Sequence, residues 1–177
     1  MKIKTVGEGI KRGRDKKMND WIFKDDCGIC HFRVAAVIIH QNKLLTQFET
    51  ETGFYALPGG HIRFGETSSD ALVREINEET GLNVTCGRLL WVEENFWKWS
   101  GRKAHGIHFY YLVEFKNGCS VEDVDGKPIK DNDMVTLRLV ELDKIKELPI
   151  FPLFLKEKIF NLSDNVEHFI NNSWREA

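Results

Sequence analysis

The sequence carries almost no net charge, no apolar run long enough to span a bilayer, and few cysteines, and each shortage removes a class of function. With 25 basic and 27 acidic residues the formal net charge is −2, so no general electrostatic pull toward nucleic acid or a membrane surface follows. The longest apolar stretches, such as VAAVII at residues 34–39, fall far short of the ~20 residues that a spanning helix needs. No signal-peptide apolar core follows Met1, and a cytoplasmic protein is expected. The four cysteines, Cys27, Cys30, Cys86 and Cys119, are predicted to be free thiols, because nothing secretory accompanies them. Cys27 and Cys30 form a single CGIC knuckle. A structural zinc site ordinarily takes two such knuckles, and the strand and helix context of a redox pair is missing. Internal repeats and low-complexity segments are also missing.

The 177 residues, 42% hydrophobic and 29% charged, have the composition of a single globular domain. Residues 1–18 hold seven Lys or Arg and three Gly without apolar periodicity, and read as a flexible basic N-terminal arm. Met18, before NDWIF, reads as a second start, and residues 19–177 are expected to form one domain that includes C-terminal helices. Within it, FRVAAVIIH, the turn signal at Gln41 and Asn42, and KLLTQFE predict a β-hairpin. RLLWVEENFWKW and IHFYYLVEF predict two long strands joined by a polar turn, SGRKAHG, and MVTLRLVEL predicts another strand. LDKIKEL and FPLFLKEKIFNL, divided by Pro149 and Pro152, predict two helical pieces.

Between these lies GETSSDALVREINEETGL, residues 65–82. Thr67 is the expected N-cap, with Asp70 three residues on in a capping box, and Gly81 fits the left-handed position past the end. Ala71, Leu72 and Ile76 form the core stripe. Glu75, Glu78 and Glu79 share one side of this helix, where like charges repel by roughly 0.2–0.5 kcal/mol per pair. They also crowd the negative end of the helix dipole. Beside a loop with Gly59, Gly60 and Gly65, such a cluster forms an oxygen-only cage, and hard divalent cations choose oxygen. Magnesium usually keeps waters and binds a few carboxylates plus substrate phosphates, which points to phosphate chemistry; on the helix alone, a surface helix with scattered acids paired incidentally by Arg74 is an equally open reading.

The stretch resembles the Nudix box, the signature of the Nudix hydrolases. Gly60, Glu66, Arg74, Glu75, Ile76, Glu78, Glu79, Gly81 and Leu82 meet that box without a departure. A chance match in a chain of this composition is on the order of one in ten million. The resemblance extends over roughly residues 35–148 and implies an α/β fold, a Nudix-type α/β/α sandwich around a mixed β-sheet. It also implies a magnesium-dependent hydrolase, with Mn2+ as a substitute, that cleaves a diphosphate bond by attack of a metal-activated water. The substrate would be a nucleoside diphosphate linked to another group, as in a nucleoside triphosphate, a nucleotide sugar or ADP-ribose. By the same resemblance Gly59 (through its carbonyl), Glu75, Glu78 and Glu79 would hold the metal, with Glu66 and Arg74 in support.

The base would be a box glutamate or a loop acid outside the box. Among Glu122, Asp123, Asp125, Asp131 and Asp133 the choice falls on Asp133, just before a strand. Trp91, Phe96, Trp97, Trp99, Phe109 and Tyr110 offer aromatic faces for a base, with Trp91 and Phe96 put forward. Arg33, His61 and Arg63 are placed to meet phosphates. The expected partner is a small nucleotide, with no membrane and no nucleic acid, and family habit implies a homodimer. Two other readings stay open. One is a catalytically silent nucleotide sensor or interaction module on the same fold, which would have no need of the costly carboxylates. The other is a hydrolase of RNA 5′ ends, hinted at only by the basic arm.

Overall fold

A computed structural model describes residues 19–99, 101–115, 120–130 and 132–174; the basic arm, Cys119 and Asp131 lie outside the described residues. In chain order the elements are strands β1 (Ile22–Lys24), β2 (Ile29–Val37), β3 (Ile39–His40), β4 (Lys43–Glu49) and β5 (Tyr55–Ala56), then helix α1 (Ser68–Thr80). Strands β6 (Val84–Trp99), β7 (Arg102–Phe115), β8 (Pro128–Ile129), β9 (Asn132–Glu141) and β10 (Ile150–Phe151) follow, then helix α2 (Leu155–Lys158) and strand β11 (Glu167–Asn172). One sheet has the order β1-β2-β7-β6-β11, the other β10-β5-β4-β9-β8, with β3 paired to β4. Both are mixed: β2 runs parallel to β7 while β6 is antiparallel to it, and β10 is parallel to β5 while β4 is antiparallel to it.

The two faces of β2 explain the layering. Val34 and Ala36 pack with Ala71, Leu72 and Ile76 of α1, whereas Val37 packs with Leu90, Trp91, Tyr110 and, beyond the sheet, Ile145, Leu155 and Ile159. Successive residues of a strand point to opposite faces, so one strand serves both cores. Helix α1 therefore covers one side, and α2 with the 3-10 turns at Leu142–Glu147 covers the other. This is the mixed-sheet α/β layering that the sequence predicts. Thr67 caps α1 by accepting the N–H of Asp70 at 3.1 Å, and Gly81 closes it at φ 78°. Thr67→Ala is expected to cost about 1 kcal/mol of stability, read as a lowered midpoint in urea with an unchanged slope.

Three expectations about elements are corrected. Gln41 and Asn42 do turn the chain with positive φ, but the hairpin is confined to β3 and β4. The chain leaves the first sheet at Ile38, and β2 pairs with β7 instead of β4. The polar stretch SGRKAHG is mostly strand: β7 starts at Arg102, with Ala104 and Gly106 buried in the sheet. Pairing along the length of β6 overrides its local polarity. The two C-terminal helical pieces shrink to a 3-10 segment and the four-residue α2. After them β11 adds to the sheet edge in parallel with β6. Its sequence, EHFINN, puts Phe169 and Ile170 on opposite faces among residues that disfavour strands, so no alternation announces it.

Candidate active site

The acidic face of α1 lies against residues 58–62, which run along the edge of β2 beyond its pairing with β1. Val34 N–H donates to Gly60 O at 2.9 Å, Ala36 N–H to Pro58 O at 2.8 Å, and Ile62 N–H to Phe32 O at 3.0 Å. Gly59 adopts φ +149°, and a Cβ there would stand 2.2 Å from Val34 O. At Gly60 a Cβ would stand 2.3 Å from the carboxyl carbon of Glu75. The two glycines therefore do different work. Gly59→Ala strikes backbone and is expected to destabilise the fold, seen as a large drop in melting temperature. Gly60→Ala strikes a side chain that can swing aside, so most of its effect is expected on turnover, with melting much less changed.

Arg74 organises the carboxylates. Its Nε and Nη2 donate to the two oxygens of Glu66 at 2.7 and 2.8 Å, and Nη2 also donates to His61 O at 2.9 Å. Its Nη1 donates to Glu75 Oε1 at 2.7 Å and Glu78 Oε2 at 3.1 Å. These bonds use the five donors of a guanidinium. Burial works against its charge, yet the hydrogen bonds to Glu66 and Glu75 hold its proton more firmly than usual. The hydrogen bonds from Arg74 pull the Glu66 carboxyl below the usual range. Arg63 adds a second guanidinium, 3.3 Å from Glu78 Oε2, and donates its own N–H to Glu66 at 3.0 Å.

Glu75 and Glu79 are different. Burial raises the Glu75 carboxyl despite Arg74. Glu79 is more deeply enclosed: Gln47 Nε2 donates to its Oε2 at 2.7 Å and Gly59 N–H to the same oxygen at 3.1 Å. Burial nevertheless pushes it up to about 7, those two bonds offsetting part of the cost. A carboxylate so placed favours an arriving cation, because its charged form lacks solvent. The donor set (the Glu75, Glu78 and Glu79 carboxylates and the Gly59 carbonyl) is all oxygen and fits a hard divalent ion. Among the described residues no three acidic, His or Cys groups converge as metal ligands, since Arg74, Arg63 and Gln47 occupy the carboxylates. Closing on a cation requires those side chains to turn.

The remaining predicted residues divide by place. Arg33 reaches back to Gly59 O, with Nη2 at 3.5 Å. His61 lies beside it, its Nε2 3.0 Å from His31 Nδ1. Arg33, His61 and Arg63 thus border the carboxylates. Trp91 does not offer a stacking face: it is 1% exposed and packs edge-on against Tyr110 and Phe154. Phe96 stacks on His105 with ring centroids 4.0 Å apart, on the opposite face of the sheet from Arg33. Phe109 packs against the core under α1, and the side chain of Trp99 lies outside the described residues. Trp97 shares the Arg33 face, 5.1 Å from the His31 ring. Asp133 is exposed at the start of β9, with no described contact to the cluster. Glu122 pairs with His40 at 2.8 Å, and Asp125 accepts the Leu139 N–H at 2.9 Å, both structural uses.

Sequence reasoning missed Gln47 and a polar chain on the β2–β7–β6 face. His31 Nε2 is 3.5 Å from His108 Nε2, His108 Nδ1 is 3.3 Å from Glu93 Oε2, and the Tyr110 hydroxyl donates to Glu93 Oε2 at 2.6 Å. Burial, with His108 and Arg33 nearby, lowers His31 to about 3, and burial with Arg33 lowers His61 to about 4, so both are neutral donors or acceptors near pH 7. The available signal was polar residues at every second position: His31 and Arg33, Glu93 and Asn95, His108 and Tyr110.

Comparison with known proteins bears on the family and the fold. Residues 31–159 match the family described as NUDIX domain. The chain is 46% identical over 116 residues to an ADP-ribose pyrophosphatase of Methanocaldococcus jannaschii, covering 64% of this chain and 68% of that protein. It is 35% identical over 72 residues to the putative mutator protein MutT4 of Mycobacterium tuberculosis, covering 40% of this chain but 29% of that longer protein. In three dimensions it resembles the MutT protein of Bacillus halodurans with a TM-score of 0.56 at 18% identity, over 81% of this chain and 91% of the other. With its complete signature folded as a glycine-flanked acidic helix, and with most of its length matched, the chain belongs to the Nudix family.

Proposed function

We propose that this chain is a divalent-metal-dependent pyrophosphohydrolase acting on a nucleoside diphosphate linked to another group, ADP-ribose, nucleotide sugars and nucleoside triphosphates being the candidates. The observation that carries the reading is Glu79, buried against Gly59 N–H and Gln47 beside Glu75 and pushed up to about 7. Such a carboxylate is costly unless a cation is to be bound. Magnesium held by Glu75, Glu78, Glu79 and the Gly59 carbonyl would supply a water of lowered pKa and neutralise phosphate charge. The protein's own contribution is positioning. Arg74 and Glu66 fix the orientation of the carboxylates, while Arg33 and Arg63 offer guanidiniums to phosphate oxygens. Neutral His31 and His61 line the approach without adding charge. Asp133 is the proposed base from the loop side. The preceding turn borders α1, Lys130 N–H lying 3.4 Å from Glu79 O.

The test is a panel of nucleoside triphosphates, nucleotide sugars and ADP-ribose with Mg2+, followed by phosphorus NMR for monophosphate release. Hydrolysis of at least one member, lost on chelation, is expected; Asp133→Asn should lower kcat by roughly 10²–10⁴-fold if it is the base. Tight binding of one member with no turnover of any would instead mark a sensor. Activity confined to RNA 5′ ends would move the substrate to nucleic acid.

A further inference from the structure

A small cavity on the sheet face, apart from the acidic helix, holds a buried carboxylate that the proposed hydrolysis does not use. Registered neighbours align across four strands: Arg33 beside His108, His108 beside Glu93, and Glu93 beside Phe169. The row begins at Arg33, which touches Gly59 O at 3.5 Å, and reaches Glu93 two strands on, about 10 Å away at ordinary strand spacing. Glu93 is 1% exposed. The Tyr110 hydroxyl donates to Oε2 at 2.6 Å and His108 Nδ1 lies 3.3 Å from the same oxygen, while among the described residues no hydrogen bond reaches Oε1. That oxygen keeps acceptor capacity that no described donor uses, which calls for an explanation.

The cavity beside it supplies one. It measures about 190 Å³ and is lined by Glu93, Leu153, Phe154, Phe169, Ile170 and Asn171. That is several times the ~30 Å³ share of a water molecule and below the roughly 300–1,000 Å³ of a pocket for a whole ligand. It is therefore suited to one end of a substrate. Phe154 and Phe169 stack on each other with centroids 4.1 Å apart, giving the space a flat apolar wall. Asn171 Nδ2 donates to Asn95 Oδ1 at 3.1 Å, and among the described residues no hydrogen bond reaches the Asn171 side-chain oxygen, a second acceptor.

We propose that Glu93 selects the far end of the substrate: its Oε1 accepts the exocyclic amino group of a nucleobase seated in this cavity. Bases with an amino group in place would be favoured over those carrying only oxo groups or hydrogen there. The proposal rests on the reading above only in taking the substrate to be a nucleotide. A site built around a hydrogen-bond acceptor rejects a partner lacking the donor far more strongly than an apolar pocket rejects a missing methylene.

The test is calorimetric binding of nucleoside monophosphates in pairs that differ by the amino group: CMP against UMP, and GMP and AMP each against IMP. At least one amino base is expected to bind tenfold or more tightly than its counterpart. Glu93→Gln, which keeps an acceptor for Tyr110 and adds a donor toward the cavity, is expected to cut that ratio to about twofold with melting little changed. Glu94→Gln, next to it but on the other face where it pairs with His168, should leave the ratio intact. Equal binding within every pair, or no measurable binding of any, overturns the proposal, and the wild-type comparison needs no variant to fold. Because binding is read without turnover, the outcomes separate. Discrimination without hydrolysis of any nucleotide would sink the enzymatic reading alone, and hydrolysis without discrimination would sink the role of Glu93 alone.

Discussion

Glu79→Gln is expected to lower turnover at saturating Mg2+ by at least two orders of magnitude. Changing a group that merely supports a metal ligand costs roughly 10–100-fold, so a smaller loss across a magnesium titration would remove Glu79 from the ligand set. The same change is expected to stabilise the metal-free protein, and the pH dependence identifies the cause. In the fold the Glu79 carboxyl is raised from 4.5 to about 7 by burial, so between those values the native state holds a proton that the unfolded chain has released. Native stability from this group is therefore full below pH 4.5 and is lost as pH rises to 7. The advantage of the glutamine variant should grow over that window and level off above it, reaching on the order of 3 kcal/mol. His31 and His61 have the opposite sign. Lowered to about 3 and about 4, they cost stability as pH falls below 6.5, where the unfolded chain takes up protons that the native rings refuse. The wild-type profile alone mixes the two effects, and the difference between variant and wild type in chelator, by urea denaturation at several pH values, isolates Glu79. A pH-independent difference would mean that Glu79 is not the titrating group.

Arg74→Met should be the most damaging single change to stability in the site. Arg74 is 16% exposed and its partners Glu66 and Glu75 are 9% and 14% exposed at the side chain, so removing it strands buried carboxylates. Breaking a buried pair from one side costs about 3–5 kcal/mol, which for a domain of this size lowers the melting temperature by roughly 10 °C. The loss should shrink as pH falls, as Glu75, raised by burial, takes up a proton and then, below pH 4.5, Glu66 does, neither any longer needing a counter-charge. Arg74→Lys restores the charge but not the planar fork that serves Glu66, His61 O, Glu75 and Glu78 together, and is expected to recover less than half of the loss. Recovery by Lys to wild-type stability would show that charge alone was needed.

Much of helix α1 was legible in the sequence because it is local. Thr67, Asp70, Ala71, Leu72, Ile76 and Gly81 are related by helical spacing, so the cap, the buried stripe and the left-handed exit of α1 could be read within one stretch and stand as expected. The three glutamates on one side follow from the same period. What failed was reading strands by local polarity. Trp91, as aromatic as Trp97, is sealed in the core, while Trp97 borders the histidines, and the two differ only in what packs over them.

By itself the sequence determined the acidic helix, its glycine-lined entry and the family, since these depend on residues a few positions apart whose spacing the backbone fixes. Only the tertiary structure decided that Gln47 and Gly59 enclose Glu79, that β2 joins β7 rather than β4, and that Glu93, His108, His31 and Arg33 share one face. Those contacts join residues 15 to 77 positions apart, and no local preference encodes which distant strand a chain will lie beside.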